Sequence, residues 1–155
     1  RDRGAQCRGG YSLRTRGVNS TFFTDRDLGK AFPAILREAG SLVERHADHF
    51  APAEQDEVWL AEVGRRGWVA LTHDQRIRYE PNELAAVVRA RVRLLVLVGA
   101  APTRELARNF VNSIGRIERF LEGRLPPFIA KVYRPTPQEI LRRPAAPGRV
   151  EHWYP

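Results

Sequence analysis

Cysteine is almost absent from this chain of 155 residues, which has Cys7 alone and only four histidines. A single cysteine excludes an internal disulfide framework and, with so few histidines, a cysteine-rich zinc site. A reducing, cytoplasmic setting is therefore expected. The chain also lacks any apolar run close to the roughly 20 residues that a membrane-spanning helix needs. We therefore expect no association with a membrane.

Lysine is nearly missing as well, since Lys30 and Lys131 are the only two although the formal net charge is +8. The positive charge comes almost wholly from arginine, whose planar guanidinium pairs with phosphate oxygens in a bidentate manner. Such an excess favours nucleic acid over other partners. A high-GC genome that encodes arginine in place of lysine explains the same composition equally well, so charge alone does not decide the partner.

The length and the 43% hydrophobic content suit one domain with a single core. Residues 1–20 contain five arginines, four glycines and few large apolar groups, which predicts a flexible basic arm. Residues 21–135 carry the alternating patterns of a folded domain. Residues 136–155 are rich in proline and are predicted to form an irregular tail.

Strand-like and helical patterns alternate through the domain. The predicted strands are 21–24, 41–45, 68–72, 92–98 and 128–133, and the predicted helices begin near Leu28, Ala53, Pro81 and Thr103. The last is a long helix with Thr103 as its cap. This alternation predicts the α/β class, as a three-layer α/β/α sandwich with a small, parallel, five-stranded sheet. Lys131 in the last strand is typical of an exposed edge.

Three acids are predicted to meet at one edge of this sheet. Asp25 directly follows the first strand and Asp74 follows the third, so both lie at the carboxyl ends of parallel strands. Asp56 lies in the first turn of the second helix, on the face that Trp59 buries. Carboxylates at close range repel each other unless a cation compensates them. An oxygen-binding divalent ion, Mg²⁺ or Mn²⁺, is the natural partner.

Each acid also has a purely structural interpretation. Asp27 is best explained as the N-cap of the helix that follows it. Asp56 alone suits a helix N-terminus, and Asp74 alone suits a turn after a strand. The agreement in position of Asp25, Asp56 and Asp74 favours a site. His73 either contacts substrate phosphate or fills the turn.

The segment His46-Ala47-Asp48-His49 could bind a transition metal, but no second cluster completes such a site. We interpret it as polar surface in a loop.

Four short segments together resemble the PIN-like domain family, and in particular its VapC-type toxins of bacterial toxin–antitoxin pairs. These segments are 22–28, 36–40, 56–60 and 69–74, and the resemblance extends over about residues 21–135. It implies a metal-dependent endoribonuclease, the toxin of such a pair, with Asp25, Asp56 and Asp74 as catalytic residues and ligands of Mg²⁺ or Mn²⁺. RNA is the implied substrate, and a cognate antitoxin and a homodimer are candidate assemblies.

Two details of the resemblance concern the rest of the site. Many family members have a fourth acid near the end of the next strand, whereas residues 98–102 offer none and Glu105 lies one turn into the helix. Arg26, Arg76 and Arg78 are the candidates for contact with flanking phosphates, with solvated surface charge as the alternative for each.

Two other functions remain open at this point. A phosphoacceptor receiver-like signalling domain would use Asp25, Asp27, Asp74 and Lys131, although the fourth strand lacks the hydroxyl residue such switches need. A PIN-like fold retained only to bind RNA or a protein partner is the second, and the missing fourth acid keeps it open.

Overall fold

The computed structural model of this protein describes residues 20–155, with the side chain of Arg78 excepted. The predicted basic arm, apart from Ser20, lies outside the described residues. Within residues 20–155 no helix has both the length and the apolar character required to cross a bilayer.

One mixed sheet runs through the protein. Its strands β1 to β6 are Thr21–Thr24, Leu42–Arg45, Val69–Thr72, Arg93–Leu97, Phe128–Val132 and Val150–Tyr154. Helices α1 to α7 are Ala31–Glu38, His46–His49, Asp56–Arg66, Pro81–Ala90, Thr103–Asn112, Ile114–Glu122 and Pro137–Arg142, and 3-10 helices span Arg26–Leu28 and Gln75–Tyr79. The strand order is β2-β1-β3-β4-β5-β6. Strands β1 to β5 are parallel and β6 is antiparallel to β5. The predicted α/β class and the five parallel strands are confirmed.

Two hydrophobic cores lie on opposite faces of the sheet because successive side chains of a strand point in opposite directions. Phe22 belongs to one core and Phe23 to the other. The first core includes apolar residues of α1, α5 and α6, namely Phe32, Leu36, Leu106, Phe110, Ile117 and Leu121. The second includes residues of α3 and α4, namely Trp59, Leu60, Val63, Ala86 and Val87. This is the predicted three-layer sandwich.

The prediction of an irregular C-terminal tail was wrong. Helix α7 begins at a capping box between Thr136 and Glu139, and β6 adds a sixth strand beside β5. The same pairing corrects the prediction for Lys131, which lies in an interior strand opposite Glu151 rather than at an edge. Proline suggested irregular structure because it disfavours strand interiors, but β6 contains no proline and lies between Pro147 and Pro155.

The predicted long helix from Thr103 is two helices, and Ser113 separates them. The buried Ser113 hydroxyl donates to the Asn109 carbonyl at 2.7 Å and accepts from the Gly148 amide at 2.9 Å. A hydroxyl that bonds a carbonyl one turn earlier commonly bends a helix. Thr103 is the first helical residue and Pro102 occupies the N-cap, so the predicted cap was also wrong.

A substitution at Gly148 tests whether residues 136–155 pack against the rest of the protein. A Cβ atom at this position would lie 1.6 Å from the Tyr133 carbonyl oxygen, whereas one at Gly115 would lie 3.9 Å from its nearest neighbour. We expect Gly148→Ala to lower the free energy of unfolding by about 1–3 kcal/mol. The helical control Gly115→Ala should be neutral or stabilising by up to about 1 kcal/mol. Equal denaturation midpoints for Gly148→Ala and the parent would show that the segment does not dock as described.

Candidate active site

The acids lie at the topological switch point of the sheet, where the chain moves from β2 on one side of β1 to β3 on the other. Strand β1 pairs with β2 on one side and with β3 on the other. In open α/β sheets, ligands bind in the crevice beyond the carboxyl ends of the strands at such a switch point. Asp25 directly follows β1, and Asp74 lies two residues beyond β3. The topology therefore places both predicted acids at the crevice.

The hydroxyl group of Thr72 lies within hydrogen-bonding distance of both Asp25 and Asp27. Thr72, the buried last residue of β3, lies 3.1 Å from an oxygen of Asp25 and 3.1 Å from an oxygen of Asp27. Asp27 also accepts from the His73 amide at 2.9 Å, and Asp25 accepts from the Arg26 amide at 2.7 Å. Since one hydroxyl donates only one proton, Thr72 cannot satisfy both carboxylates at once.

The electrostatics of Asp25 reflect this crowding. Burial, with the charge of Asp27 second and that of Asp56 a smaller addition, raises the pKa of Asp25 to about 6. Burial also raises the pKa of Asp27, whose hydrogen bonds from His73 and Thr72 act in the opposite direction. Negative charge at this edge is therefore incompletely compensated by the protein itself.

The interpretation of Asp27 as a helix cap was wrong. Helix α1 begins later, at Ala31, and its N-cap Lys30 makes no capping hydrogen bond through its side chain. It is Asp25 that caps the first short 3-10 helix. The Asp27 carboxylate is directed instead at Thr72 and His73, which makes it a member of the site.

Asp74 is held in a different way. Its two oxygens accept from the Arg76 Nε at 3.0 Å and Nη2 at 3.1 Å, and Oδ1 also accepts from the Arg76 amide at 2.9 Å. These contacts lower the pKa of Asp74, the hydrogen bond from the guanidinium being the largest cause. The Arg76 side chain is 84% exposed, so it can exchange Asp74 for another anion.

Asp56 lies in the first turn of α3, half-buried as predicted. Its Oδ1 accepts from the Trp59 Nε1 at 2.9 Å, which fixes the carboxylate against the second core. Glu83, in the first turn of α4, lies beside it. Burial, a hydrogen bond with Asp56 and the charges of Asp56 and Asp74 raise the pKa of Glu83 to about 8. The Glu83 carboxyl therefore favours its protonated form at neutral pH.

The arginines predicted to contact phosphate are not equivalent. Arg26 donates from Nε to the His46 Nδ1 at 2.9 Å and from Nη2 to the Phe50 carbonyl at 2.7 Å, so its guanidinium is anchored to the protein. Arg76 is exposed beside Asp74. The side chain of Arg78 lies outside the described part of the chain.

His46 is buried in a short helix, which corrects its interpretation as loop surface, whereas residues 47–49 are exposed as predicted. His46 opens the short helix α2 and is 3% exposed. Its ring packs 5.8 Å from Trp59 and 6.0 Å from Phe23, measured between ring centroids. Burial and the adjacent Arg26 lower the pKa of His46, so the ring is neutral and its Nδ1 accepts the Arg26 proton.

Two more side chains complete this edge. His73 donates from Nε2 to the Gly99 carbonyl at 2.7 Å, which ties the turn after β3 to the end of β4 and agrees with its interpretation as a residue that fills the turn. Glu105, considered as a fourth acid, forms a salt bridge with Arg134. The charge of Glu105 is therefore paired with Arg134, which lies just after β5.

Comparison with known proteins assigns the family. The model of a family described as a PIN-like domain matches residues 20–99, which are 80 of the 155 residues. The chain belongs to the PIN-like domain family. The match contains all five acids described above, Asp25, Asp27, Asp56, Asp74 and Glu83. No curated protein and no solved structure matches the chain.

Membership in the PIN-like family gives this protein a nuclease-type fold. PIN domains are generally nucleases and typically use divalent metal ions. The chemistry of the site fits such an ion, since its donors are carboxylate oxygens, and burial together with neighbouring carboxylates raises the pKa values of Asp25 and Glu83. As the side chains stand in residues 20–155, no three of His, Cys, Asp or Glu are grouped closely enough to enclose a metal.

Sequence reasoning missed two residues of this candidate site. Glu83 lies in the first turn of the helix before β4, as Asp56 lies in the first turn of the helix before β3. The rule that placed Asp56 at the carboxyl edge could therefore have placed Glu83 there. For Asp27 the sequence favours a helix cap, and only the late start of α1 and the contact with Thr72 place its carboxylate beside Asp25.

The raised pKa of Asp25 predicts a stability that depends on pH. The folded value is about 6 and the ordinary value is 3.8, so ionisation of this carboxyl opposes folding. The destabilisation is absent below the ordinary value, grows as the pH rises between the two values, and is complete above the folded value. At about 1.4 kcal/mol for each pH unit between the two values, it amounts to about 3 kcal/mol.

We expect Asp25→Asn to raise the free energy of unfolding by about 2–3 kcal/mol at alkaline pH, in the presence of a metal chelator. The gain should shrink as the pH falls below 6. Urea denaturation at several pH values measures it. Asp48→Asn is the control, since Asp48 is half-exposed and forms only a 3.6 Å pair with Arg45. A gain that does not vary with pH would contradict the electrostatic explanation.

Proposed function

We propose that this protein is a metal-dependent endoribonuclease that hydrolyses RNA phosphodiester bonds. The observation that carries the proposal is the cluster of acids at the β1/β3 switch point, with Asp25 and Glu83 raised in pKa by burial and by neighbouring carboxylates. Uncompensated carboxylates at a concave edge suit a site that takes up a divalent cation together with a phosphate. Membership in a generally nucleolytic family supports the same conclusion.

In this proposal Asp25, Asp56 and Asp74 hold Mg²⁺ or Mn²⁺. A divalent cation supplies the charge that activates water and stabilises phosphate oxygens during hydrolysis. Thr72 orients Asp25 through its hydroxyl, and Trp59 orients Asp56 through its indole N–H. These contacts fix the carboxylates before substrate arrives, which is the condition for efficient electrostatic stabilisation.

Arg76 is the residue we assign to substrate phosphate. It is exposed and already binds the Asp74 carboxylate in the bidentate manner that phosphate also accepts. Transfer of Arg76 from Asp74 to an RNA phosphate would free the oxygens of Asp74. Arg26 acts differently, because its bonds to His46 and Phe50 make it a support for the loop after β1.

The proposed biological role is that of the toxin in a toxin–antitoxin pair, with a cognate antitoxin as protein partner and the cytoplasm as its location. This assignment rests on the similarity of segments 22–28, 36–40, 56–60 and 69–74 to VapC-type toxins.

A binding-only role is the second candidate, and one observation favours it. Asp74 is fully engaged by Arg76, and no three potential ligands in residues 20–155 are grouped around a common point. A PIN-like fold that binds RNA without cutting it would need no cation. The match of residues 20–99 to the PIN-like family argues against a receiver-like domain.

Removal of one proposed ligand tests the enzymatic function. We expect Asp74→Asn to reduce Mn²⁺-dependent RNA cleavage by more than about 100-fold, since even outer partners of metal ligands contribute roughly 10- to 100-fold. Cleavage is followed on a labelled RNA by gel electrophoresis. The variant should fold normally, because the Asp74 side chain is partly exposed.

The matched control is Asp48→Asn, which makes the same change in an acid of α2 outside the site and should cleave normally. Expression of the parent protein should arrest growth, and Asp74→Asn should relieve the arrest. Full cleavage by purified Asp74→Asn would contradict the assignment of this residue. Absence of cleavage by the parent with either ion would favour the binding-only role.

A further inference from the structure

A second feature lies at the amino-terminal ends of the strands, on the side of the sheet opposite the acids. A cavity of about 670 Å³ opens where β3 and β4 begin, between the C-terminal ends of α3 and α4. Its volume falls in the range of roughly 300–1,000 Å³ that is usual for ligand-binding sites. None of the five acids of the candidate active site lines it.

Arginine dominates the walls of this cavity. Arg65, Arg89, Arg91 and Arg93 line it, and Glu57 is the single acidic lining residue. The side chain of Arg65 is paired with Glu62 on the same helix. Within residues 20–155 no carboxylate forms a salt bridge with the other three guanidinium groups. The cavity therefore carries a net positive charge.

The hydrogen bonds of Arg91 and Arg93 go to carbonyl oxygens and not to carboxylates. Arg93 donates to the Gly67 carbonyl at 2.9 Å, and Arg91 donates to the Pro126 carbonyl at 2.7 Å. Carbonyl oxygens orient a guanidinium without cancelling its charge. Burial lowers the pKa of Arg93, and the charge of Glu118 acts in the opposite direction. An anionic ligand would supply the missing counter-charge.

A structural role explains only part of this cluster. Cations in the last turn of a helix stabilise its dipole, which accounts for Arg65 in α3 and Arg89 in α4. Arg93 belongs to strand β4, so helix capping does not explain its position. Its convergence with the helix arginines on one cavity points to a ligand.

The neighbouring aromatic residue limits what that ligand can be. Trp68 lines the cavity, but Phe23 stacks on its ring at 5.9 Å and the Arg66 guanidinium lies 4.8 Å from the ring centroid. Its ring is therefore already engaged by protein groups and is poorly placed to stack on a nucleobase. The cavity thus suits phosphates rather than bases, and phosphate recognition carries no sequence information.

The cavity and the acid site are connected by two helices. Asp56 and Glu83 lie at the N-terminal ends of α3 and α4, and the arginines lie at the C-terminal ends of the same helices. Helices of 10 and 11 residues span about 15 Å at 1.5 Å for each residue. A single RNA strand that leaves the acid edge along this face would reach the arginines within a few nucleotides.

We propose that the cavity formed by Arg65, Arg89, Arg91 and Arg93 is a backbone-phosphate site for single-stranded RNA that extends away from the candidate active site. This inference rests on the proposed ribonuclease function for its choice of RNA. The site increases affinity for longer strands without selecting their sequence. The acid edge alone repels RNA in the absence of a cation, so binding of metal-free protein to RNA depends mainly on these arginines.

The test is a binding measurement that does not require cleavage. Fluorescence anisotropy with EDTA compares a labelled RNA of about twelve nucleotides with a labelled trinucleotide. We expect Arg89→Gln/Arg91→Gln to weaken binding of the longer RNA on the order of tenfold. The slope of log K against log salt should fall by about 1.4, since each contact to a single strand contributes about 0.7. Trinucleotide binding in Mn²⁺ should not change.

The matched control is Arg104→Gln/Arg119→Gln, which removes the same charge from exposed positions of α5 and α6 on the other face. It should change affinity by less than about twofold, as expected for solvated charges. If the double variant unfolds, Arg89→Gln alone keeps the test decisive, because Arg89 is an exposed residue of α4 and should give about half of the change in salt slope.

Equal losses in the cavity variant and the control would overturn the inference, as would unchanged binding of the longer RNA. Binding of a labelled poly-glutamate peptide that depends on Arg89 and Arg91, without such dependence for RNA, would assign the cavity to an acidic protein partner and also overturn it. Arginine-dependent RNA binding by a protein that cleaves nothing would support the cavity while contradicting the proposed ribonuclease function.

Discussion

Carboxylates that lie close together at the carboxyl ends of β1 and β3 repel each other, and the proposed cation site depends on this repulsion. The β1/β3 switch point brings together acids from β1, β3 and the first turns of two helices. The protein compensates them only in part: Arg76 neutralises Asp74, whereas Asp25 and Asp27 compete for the Thr72 hydroxyl. Folding therefore holds negative charge at a place where a cation would stabilise the protein.

The rest of the structure keeps that charge in position. Phe23 of β1 packs against Trp59 with ring centroids 5.4 Å apart, and the Trp59 indole N–H holds Asp56. His46 packs on the same aromatic group and anchors Arg26 directly after Asp25. The second core thus connects the strand that carries Asp25 to the helix that carries Asp56, so packing and site geometry depend on the same residues.

The periodicity of apolar residues predicted the parallel strands and the three layers. The position of acids after strands and at helix starts predicted the shared edge of Asp25, Asp56 and Asp74. Both kinds of signal are local in the sequence. These sequence predictions were wrong where a contact between residues distant in sequence determines the structure. Ser113 bends a helix through its bond to the Asn109 carbonyl, and the amide of Gly148, 35 residues later, donates to the same hydroxyl. The C-terminal strand forms because β5 offers a free edge, which no local pattern encodes. The role of Asp27 depends on Thr72, whose position is set by the sheet.

The central claim is that this edge binds a divalent cation through Asp25, Asp56 and Asp74. X-ray diffraction from crystals soaked in Mn²⁺, recorded where manganese scatters anomalously, tests it most directly. We expect an anomalous peak in contact with oxygens of Asp25, with Arg76 turned away from Asp74. The peak should be absent from crystals of Asp25→Asn. Well-occupied Mn²⁺ elsewhere, with no peak at this edge, would contradict the claim.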